Sequence, residues 1–197
     1  MQENKYIGDE KMTKMLEHYQ CPTPLEVVKM RFAGAVCSPN LELRPTDVIS
    51  SLWPAGQAPR LQTKDEADLF FKFFMGLWDA MFDLIQHNKI KLDKLPVKDL
   101  EYYCQRRFAE VEQGYVEGFW GGKSDIKIPA FLAEVIDSLS DLAGVYTSLL
   151  KKLSAGSNTS EVINALHSAD AMVEKAIAFI IENSVLPRIE SLRRTVN

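Results

Sequence analysis

His18 and Cys21 stand three residues apart, and a histidine beside a cysteine is the pair from which a nucleophilic thiolate is made. The same pair could begin a zinc site. Zinc takes about four nitrogen, sulfur or oxygen ligands, however, and neither CxxC nor HExxH accompanies them. His87 and His167 sit in no recognisable motif. Cys37 and Cys104 are the other thiols, and an odd set at irregular spacing makes no disulfide framework, which is the usage of a reducing compartment. Acidic residues recur at Glu110, Glu112 and Glu117, then at Glu134, Asp137 and Asp141. Di-iron bundles need Glu-x-x-His on paired helices, and no histidine falls at that spacing, so these acids read as a solvated face. Tyr102-Tyr103 with Arg106-Arg107, and the terminal Arg188, Arg193 and Arg194, combine aromatic and basic groups as nucleic-acid surfaces do. Neighbouring acids dilute the first cluster, and the second serves equally as cations at a helix C-terminus. No catalytic residue, metal ligand set or cofactor follows from these patterns.

A different pattern dominates one stretch. Gly114, Gly118 and Gly122 recur every four residues, with Tyr115, Phe119 and Trp120 between them. Glycine costs a helix roughly 1 kcal/mol relative to alanine, so a glycine stripe marks a place where backbone must approach backbone or ligand. The spacing is neither GxGxxG nor GxxxxGK[ST], and it closes a helix rather than opening one, whereas anions gather at helix N-termini. Close packing of Gly114 and Gly118 against the small segment Ala33-Gly34-Ala35 is the expected role. Gly121-Gly122 is the expected C-terminal cap.

The elements that carry these residues are helices. Apolar positions repeat with helical spacing, and strand-type alternation is almost absent. The first helix is expected from Asp9 to Gln20. Thr23-Pro24-Leu25-Glu26 has the form of a capping box opening a second, with Leu25, Val28, Phe32 and Val36 on one side, ending before Ser38-Pro39. Pro45 opens a short third helix leading to Trp53. Thr63-Lys64-Asp65-Glu66 is a second box, opening a long aromatic helix to about Asn88 that is expected to be central. The fifth runs from Val97 to Trp120, and the sixth starts at Ile128-Pro129. Ser154–Asn158 is a linker, and a seventh helix starts near Thr159, with Pro187 expected to kink or break it. The sixth and seventh patterns repeat about every 3.5 residues and form a hairpin. The fold expected is an all-α, irregular bundle of about seven helices, divided into a helical domain over 1–153 and a C-terminal helical extension over 154–197 packed on it.

The order Phe32-Ala33-Gly34-Ala35, Ser38-Pro39, Arg44-Pro45, Leu52-Trp53, Asp65-Glu66-Ala67 and then Gly114–Gly122 resembles the YgfB/YecA-like family of bacterial proteins. The resemblance spans about Met12 to Lys152. It implies an all-helical, cytoplasmic protein from a family mostly without assigned activity, and it gives Gly34, Pro39, Pro45, Gly114 and Gly118 structural roles. Met30-Arg31 and Tyr115 depart from the family pattern. No cysteine follows Cys104, so the SecA-like zinc tail of some relatives is absent.

A formal net charge of -4 argues against nucleic acid as the main partner, and no run reaches the ~20 apolar residues that span a bilayer. The polar start of the chain carries no signal-peptide core, so a cytoplasmic protein is expected. The function expected is a non-enzymatic interaction protein that binds another macromolecule. Its surfaces would be the Ser51–Leu61 loop with Trp53, and the Tyr115, Phe119 and Trp120 region. Self-association through the C-terminal hairpin into a homodimer is a further expectation. The rival is a small-ligand binder or enzyme with a pocket between the second, fourth and fifth helices, using Cys37 or Cys104. A nucleic-acid accessory role through the terminal arginines is the weaker alternative.

Overall fold

The structure is a computed structural model and describes residues 5–123, 126–156 and 158–196. Residues 1–4 of the polar N-terminus and Ser157 of the expected linker lie outside them. Among the described residues there is no strand, and the chain is an all-α bundle of seven continuous helices. These are α1 (Asp9–His18), α2 (Leu25–Cys37), α3 (Pro45–Ser50), α4 (Lys64–Gln86), α5 (100–120), α6 (Ala130–Ser154) and α7 (159–196). Two of them change pitch midway: α5 is π-helical over Ala109–Val116, and α7 over Ile181–Val185.

The central helix is α2, not α4 as its aromatic content suggests. Eleven of the thirteen residues of α2 are buried. One side of α2, with Met30, Ala33 and Cys37, joins a core built with α5, α6 and α7. The other, with Leu25, Val28 and Phe32, joins a second core built with α1, α3 and α4. By contrast, α4 buries Phe70, Phe74, Leu77 and Met81 but leaves Leu69 and Phe71 exposed. The reason lies in side-chain size. Ala33, Gly34 and Ala35 let a second helix press directly on α2, so α2 is covered all round, whereas the bulk of α4 holds its neighbours to one side.

That second helix is α5. Gly34 lies against the Tyr115 carbonyl and 2.8 Å, measured from an added Cβ, from the Phe119 amide. Gly118 lies against the Arg31 backbone, and a Cβ on Gly114 would come within 2.7 Å of Met30 Cβ. The crossing is therefore backbone on backbone. Gly121 ends α5 in the left-handed conformation at φ 57° and accepts no side chain easily, because Leu43 packs over it.

Local signals fare unevenly. Thr63 caps α4 by accepting from the Glu66 amide at 3.1 Å. Thr23 does not cap α2; Pro24 takes that position and the Thr23 hydroxyl donates instead to the Leu52 carbonyl at 2.9 Å, tying the start of α2 to the end of α3. Pro187 does not end α7. The preceding π turn, in which the Leu186 amide donates to Ile181, shifts the carbonyl register just where a proline ring would otherwise clash.

The described residues of α7 pack on the rest of the bundle. Leu132, Ile136, Leu139, Ala143 and Tyr146 of α6 interlock with Val162, Leu166, Ala169 and Val173 of α7 in the same cluster as Met30 and Tyr115. A buried charge network reinforces the join. Asp170 of α7 accepts from Tyr103 at 2.7 Å, from Tyr146 at 2.8 Å and from Arg107 at 3.0 Å. Arg107 is 1% exposed and also donates to Glu110, itself 3% exposed, and to the Asp93 carbonyl. Arg106 donates to the other Glu110 oxygen at 2.8 Å. Glu110 is thus no part of a solvated face, and Arg107 is no part of a basic surface.

Candidate functional site

Three of the four aromatic residues expected at a contact surface are packed inside. Tyr115 and Phe119 have no exposed surface and Trp53 is 6% exposed. The α2–α5 crossing draws Tyr115 and Phe119 inward with the glycines beside them. Trp53 packs on Phe70 and donates its indole N–H to the Tyr19 carbonyl at 3.1 Å. These three are corrected to core residues. Trp120 remains partly exposed, at the end of α5, and it lines a concavity of the surface.

That concavity is an open groove of about 670 Å³, bounded by α2, α3 and α5 and reached by Ser140 of α6. It lies beside α3; a smaller hollow of about 150 Å³ does lie between α2, α4 and α5, lined by Met30, Met81, Leu84 and Glu110. Its wall on α5 carries Glu112, Val116 and Trp120, four apart along one face. The opposite wall carries Leu43, Asp47 and Val48, and Gly122, with nothing within 4 Å of an added Cβ, leaves open volume at one end. The widened helix shapes this wall: the Glu117 amide donates back to the Glu112 carbonyl, five residues earlier. Such π segments recur at functional sites because they re-aim side chains without ending the helix.

The charges in the groove are unequal in availability. Arg31 is fixed: its guanidinium donates to the Ser51 carbonyl at 2.8 Å, to the Gln113 carbonyl at 3.0 Å and to Glu117 at 2.6 Å. Lys123 pairs with Glu42 at 2.9 Å. One Asp47 oxygen accepts the Arg44 amide at 3.1 Å. Glu112 differs: the side chain is half-buried, and its Oε2, which is itself covered, has no hydrogen-bond partner among the described residues. A buried carboxylate oxygen left without a donor is costly, by roughly 1–3 kcal/mol or more for a charged group.

The thiols do not supply a nucleophile. Burial pushes Cys37 up to about 12 and raises Cys104 and Cys21 as well, so all three resist the thiolate form at neutral pH. Cys21 lies against the Thr23 and Leu52 carbonyls, while the His18 ring meets Tyr19, so the structure does not assemble them as a reactive pair. Among the described residues no cluster of three or more His, Cys, Asp or Glu is placed to hold a metal, and no helix is long and apolar enough to cross a membrane.

The same burial predicts alkaline sensitivity. Cys37 titrates near 9.0 when unfolded and at about 12 when folded. Tyr103 is raised from 10.0 to about 12 by burial and by Asp170, and Tyr115 and Tyr146 are raised further by burial. Above about pH 9 the folded chain holds protons that the unfolded chain has lost, so rising pH favours unfolding. Within its window Cys37 alone withdraws about 1.4 kcal/mol per pH unit. Urea midpoints measured from pH 7 to about 11 should be flat at first and then fall steeply, with tyrosinate absorbance appearing together with unfolding. Tyrosinate signal from a chain that stays folded would contradict this account.

No protein-family model, curated protein or solved structure matches this chain.

Proposed function

We propose that this protein is a non-enzymatic binding module that engages another macromolecule through the groove between α2, α3 and α5. The observation that carries the reading is an open groove of about 670 Å³ whose wall presents the partly exposed Trp120. The reading keeps the interaction role expected from the sequence and moves it to a different surface. In keeping with the YgfB/YecA-like resemblance, a bacterial cytoplasmic setting is part of the proposal.

Two other surfaces are less suited. The apolar seams of α6 and α7 bury each other, which leaves that seam no free face for a homodimer. In the arginine-rich end, Arg188 donates to the Ser38 and Val36 carbonyls at 2.8 and 3.1 Å, satisfying the C-terminus of α2. Arg193 donates to Gln86 at 2.7 Å. These cations serve helix ends and packing, which weighs against a nucleic-acid surface. A small organic ligand is the second reading, favoured by the groove volume of about 670 Å³, which falls in the range of ligand pockets.

Affinity purification of the tagged chain from its native host, compared with Trp120→Ala, tests the proposal. The expected result is a stoichiometric protein partner recovered with the unaltered chain and lost with Trp120→Ala, while the melting temperature moves by only a few degrees. Equal recovery of the same partner with both chains would move the surface elsewhere.

A further inference from the structure

We propose that one flank of α4 joins a second copy of this chain, helix against antiparallel helix, in a weak homodimer. Phe71, Met75, Trp78 and Phe82 form the seam, and Lys72 of each copy pairs with Asp79 of the other. No residue of α4 lines the groove beside α3, so this surface is additional to that one.

Steps of four, three and four residues separate the seam positions, the spacing that keeps side chains on one helix face and builds helix-to-helix contacts. The adjoining face of α4, with Phe70, Phe74, Leu77, Met81 and Ile85, is buried in the bundle. The seam face is not. Phe71 is 39% and Phe82 37% exposed, and Met75 and Trp78 are partly exposed. Phe71, Met75 and Phe82 belong to neither core cluster, while Trp78 reaches inward to Phe32 at a ring separation of 5.5 Å. Four large apolar side chains along ~16 Å of helix make a continuous patch rather than scattered surface residues.

The pattern is self-complementary about the midpoint between Gly76 and Leu77. With a second α4 turned antiparallel, Phe71 comes level with Phe82 of the second copy, and Met75 with Trp78. Lys72 and Asp79 lie one heptad apart on the solvent edge of the seam. Both are exposed, and neither has a hydrogen bond or ion pair among the described residues. A two-fold axis between antiparallel helices sets like edge against like edge, so the Lys72–Asp79 pair forms twice. Partial burial already holds the Asp79 carboxyl above the usual carboxylate range, and an opposing ammonium offsets that cost. A parallel arrangement would set the charged edge against Phe74 and Met81, which are buried in their own bundle, and leave both charges unpaired. At the ends of the seam Asp68 comes level with Gln86 of the second copy, which accepts from Arg193 of α7 at 2.7 Å, so an acid meets donors there too. A seam this short falls near or below the ~1,200 Å² lower bound of stable interfaces, so the association is weak and concentration-dependent.

Sedimentation velocity of the full chain from about 1 μM to about 1 mM tests the proposal. A reversible monomer–dimer equilibrium is expected. Phe82→Glu, at an exposed position, should leave the chain monomeric with its circular dichroism unchanged. Lys72→Asp and Asp79→Lys should each weaken the dimer about tenfold, because two rim pairs turn from attraction to repulsion. An equimolar mixture of those two variants should recover it, as should a chain carrying both changes. Trp120→Ala should leave the dimer intact. A chain that stays monomeric throughout would overturn the proposal; if Phe82→Glu then also loses a captured protein, the flank serves a different partner. A dimer unaffected by Phe82→Glu, or abolished by Trp120→Ala, lies on another surface. A dimer that the mixture of charge variants does not restore overturns the antiparallel pairing. Should Phe82→Glu fail to fold, the charge variants, both at exposed positions, decide the question by themselves.

Discussion

Gly34→Ala and Gly118→Ala should each destabilise the protein by roughly 3 kcal/mol or more, the upper end for a single added methyl. At each position the new Cβ would meet backbone: the Tyr115 carbonyl for Gly34, the Arg31 carbonyl for Gly118. Backbone cannot rotate away as a side chain can. The two helices must instead separate, and with them the cores on either side of α2. For a chain of this size the loss corresponds to a fall in melting temperature of about 6–12 °C. Gly144→Ala provides the contrast. It sits exposed within α6, nothing lies within 4 Å of an added Cβ, and alanine is the better helix former, so stability should rise by up to about 1 kcal/mol. Urea unfolding of the three variants checks the order. A Gly34→Ala protein as stable as Gly144→Ala would mean that the α2–α5 crossing is looser than described.

Removing Asp170 should cost about as much, for a different reason. Its carboxylate is the meeting point of Tyr103, Tyr146 and Arg107, and Arg107 is almost fully buried. Breaking a buried pair from one side leaves the other charge without compensation, which costs roughly 3–5 kcal/mol. Glu110 still faces Arg107 at its other edge, so Asp170→Ala should lie at the lower end of that range. Tyr146→Phe removes one hydrogen bond to a charged acceptor and should cost about 1.5–3 kcal/mol. Salt separates this network from the surface pairs. The Lys14–Glu10 pair is exposed and contributes at most ~1 kcal/mol, screened by salt, whereas the Asp170 effect should persist in 1 M NaCl. Chemical denaturation at low and high salt measures both. An Asp170→Ala penalty below about 1 kcal/mol would show that α7 is held by its apolar seam alone.

Much of the architecture was legible from local pattern. Helix number, the α6–α7 hairpin, the Thr63 cap and the glycine end of α5 all follow from interactions within a few residues, which periodicity and capping chemistry encode directly. The small residues around Gly34 and the Gly114–Gly118 pair also announced a close approach. Three features were not legible. Tyr115 and Phe119 looked like exposed aromatics, but the same glycines that bring α5 onto α2 carry them into the core. Glu110 and Arg107 looked like ordinary surface charges, yet their neighbour Asp170 lies about sixty residues away in sequence. The π turn before Pro187 keeps α7 continuous where proline alone predicts a break. The groove beside α3 was hidden for a related reason, since its walls come from Asp47, Glu112 and Trp120, which share no motif.

The sequence by itself determined that this chain is all helical, where most of its helices begin and end, and that one crossing must be tight. Each of these depends on residues within a turn or two of each other, or on the absence of side-chain bulk. Only the tertiary structure decided which helix is central, which aromatics are buried, and which carboxylate is left without a partner. Those outcomes depend on what arrives from distant parts of the chain to cover a given face. A residue's type fixes what it can bond to, and packing alone decides whether that partner is there.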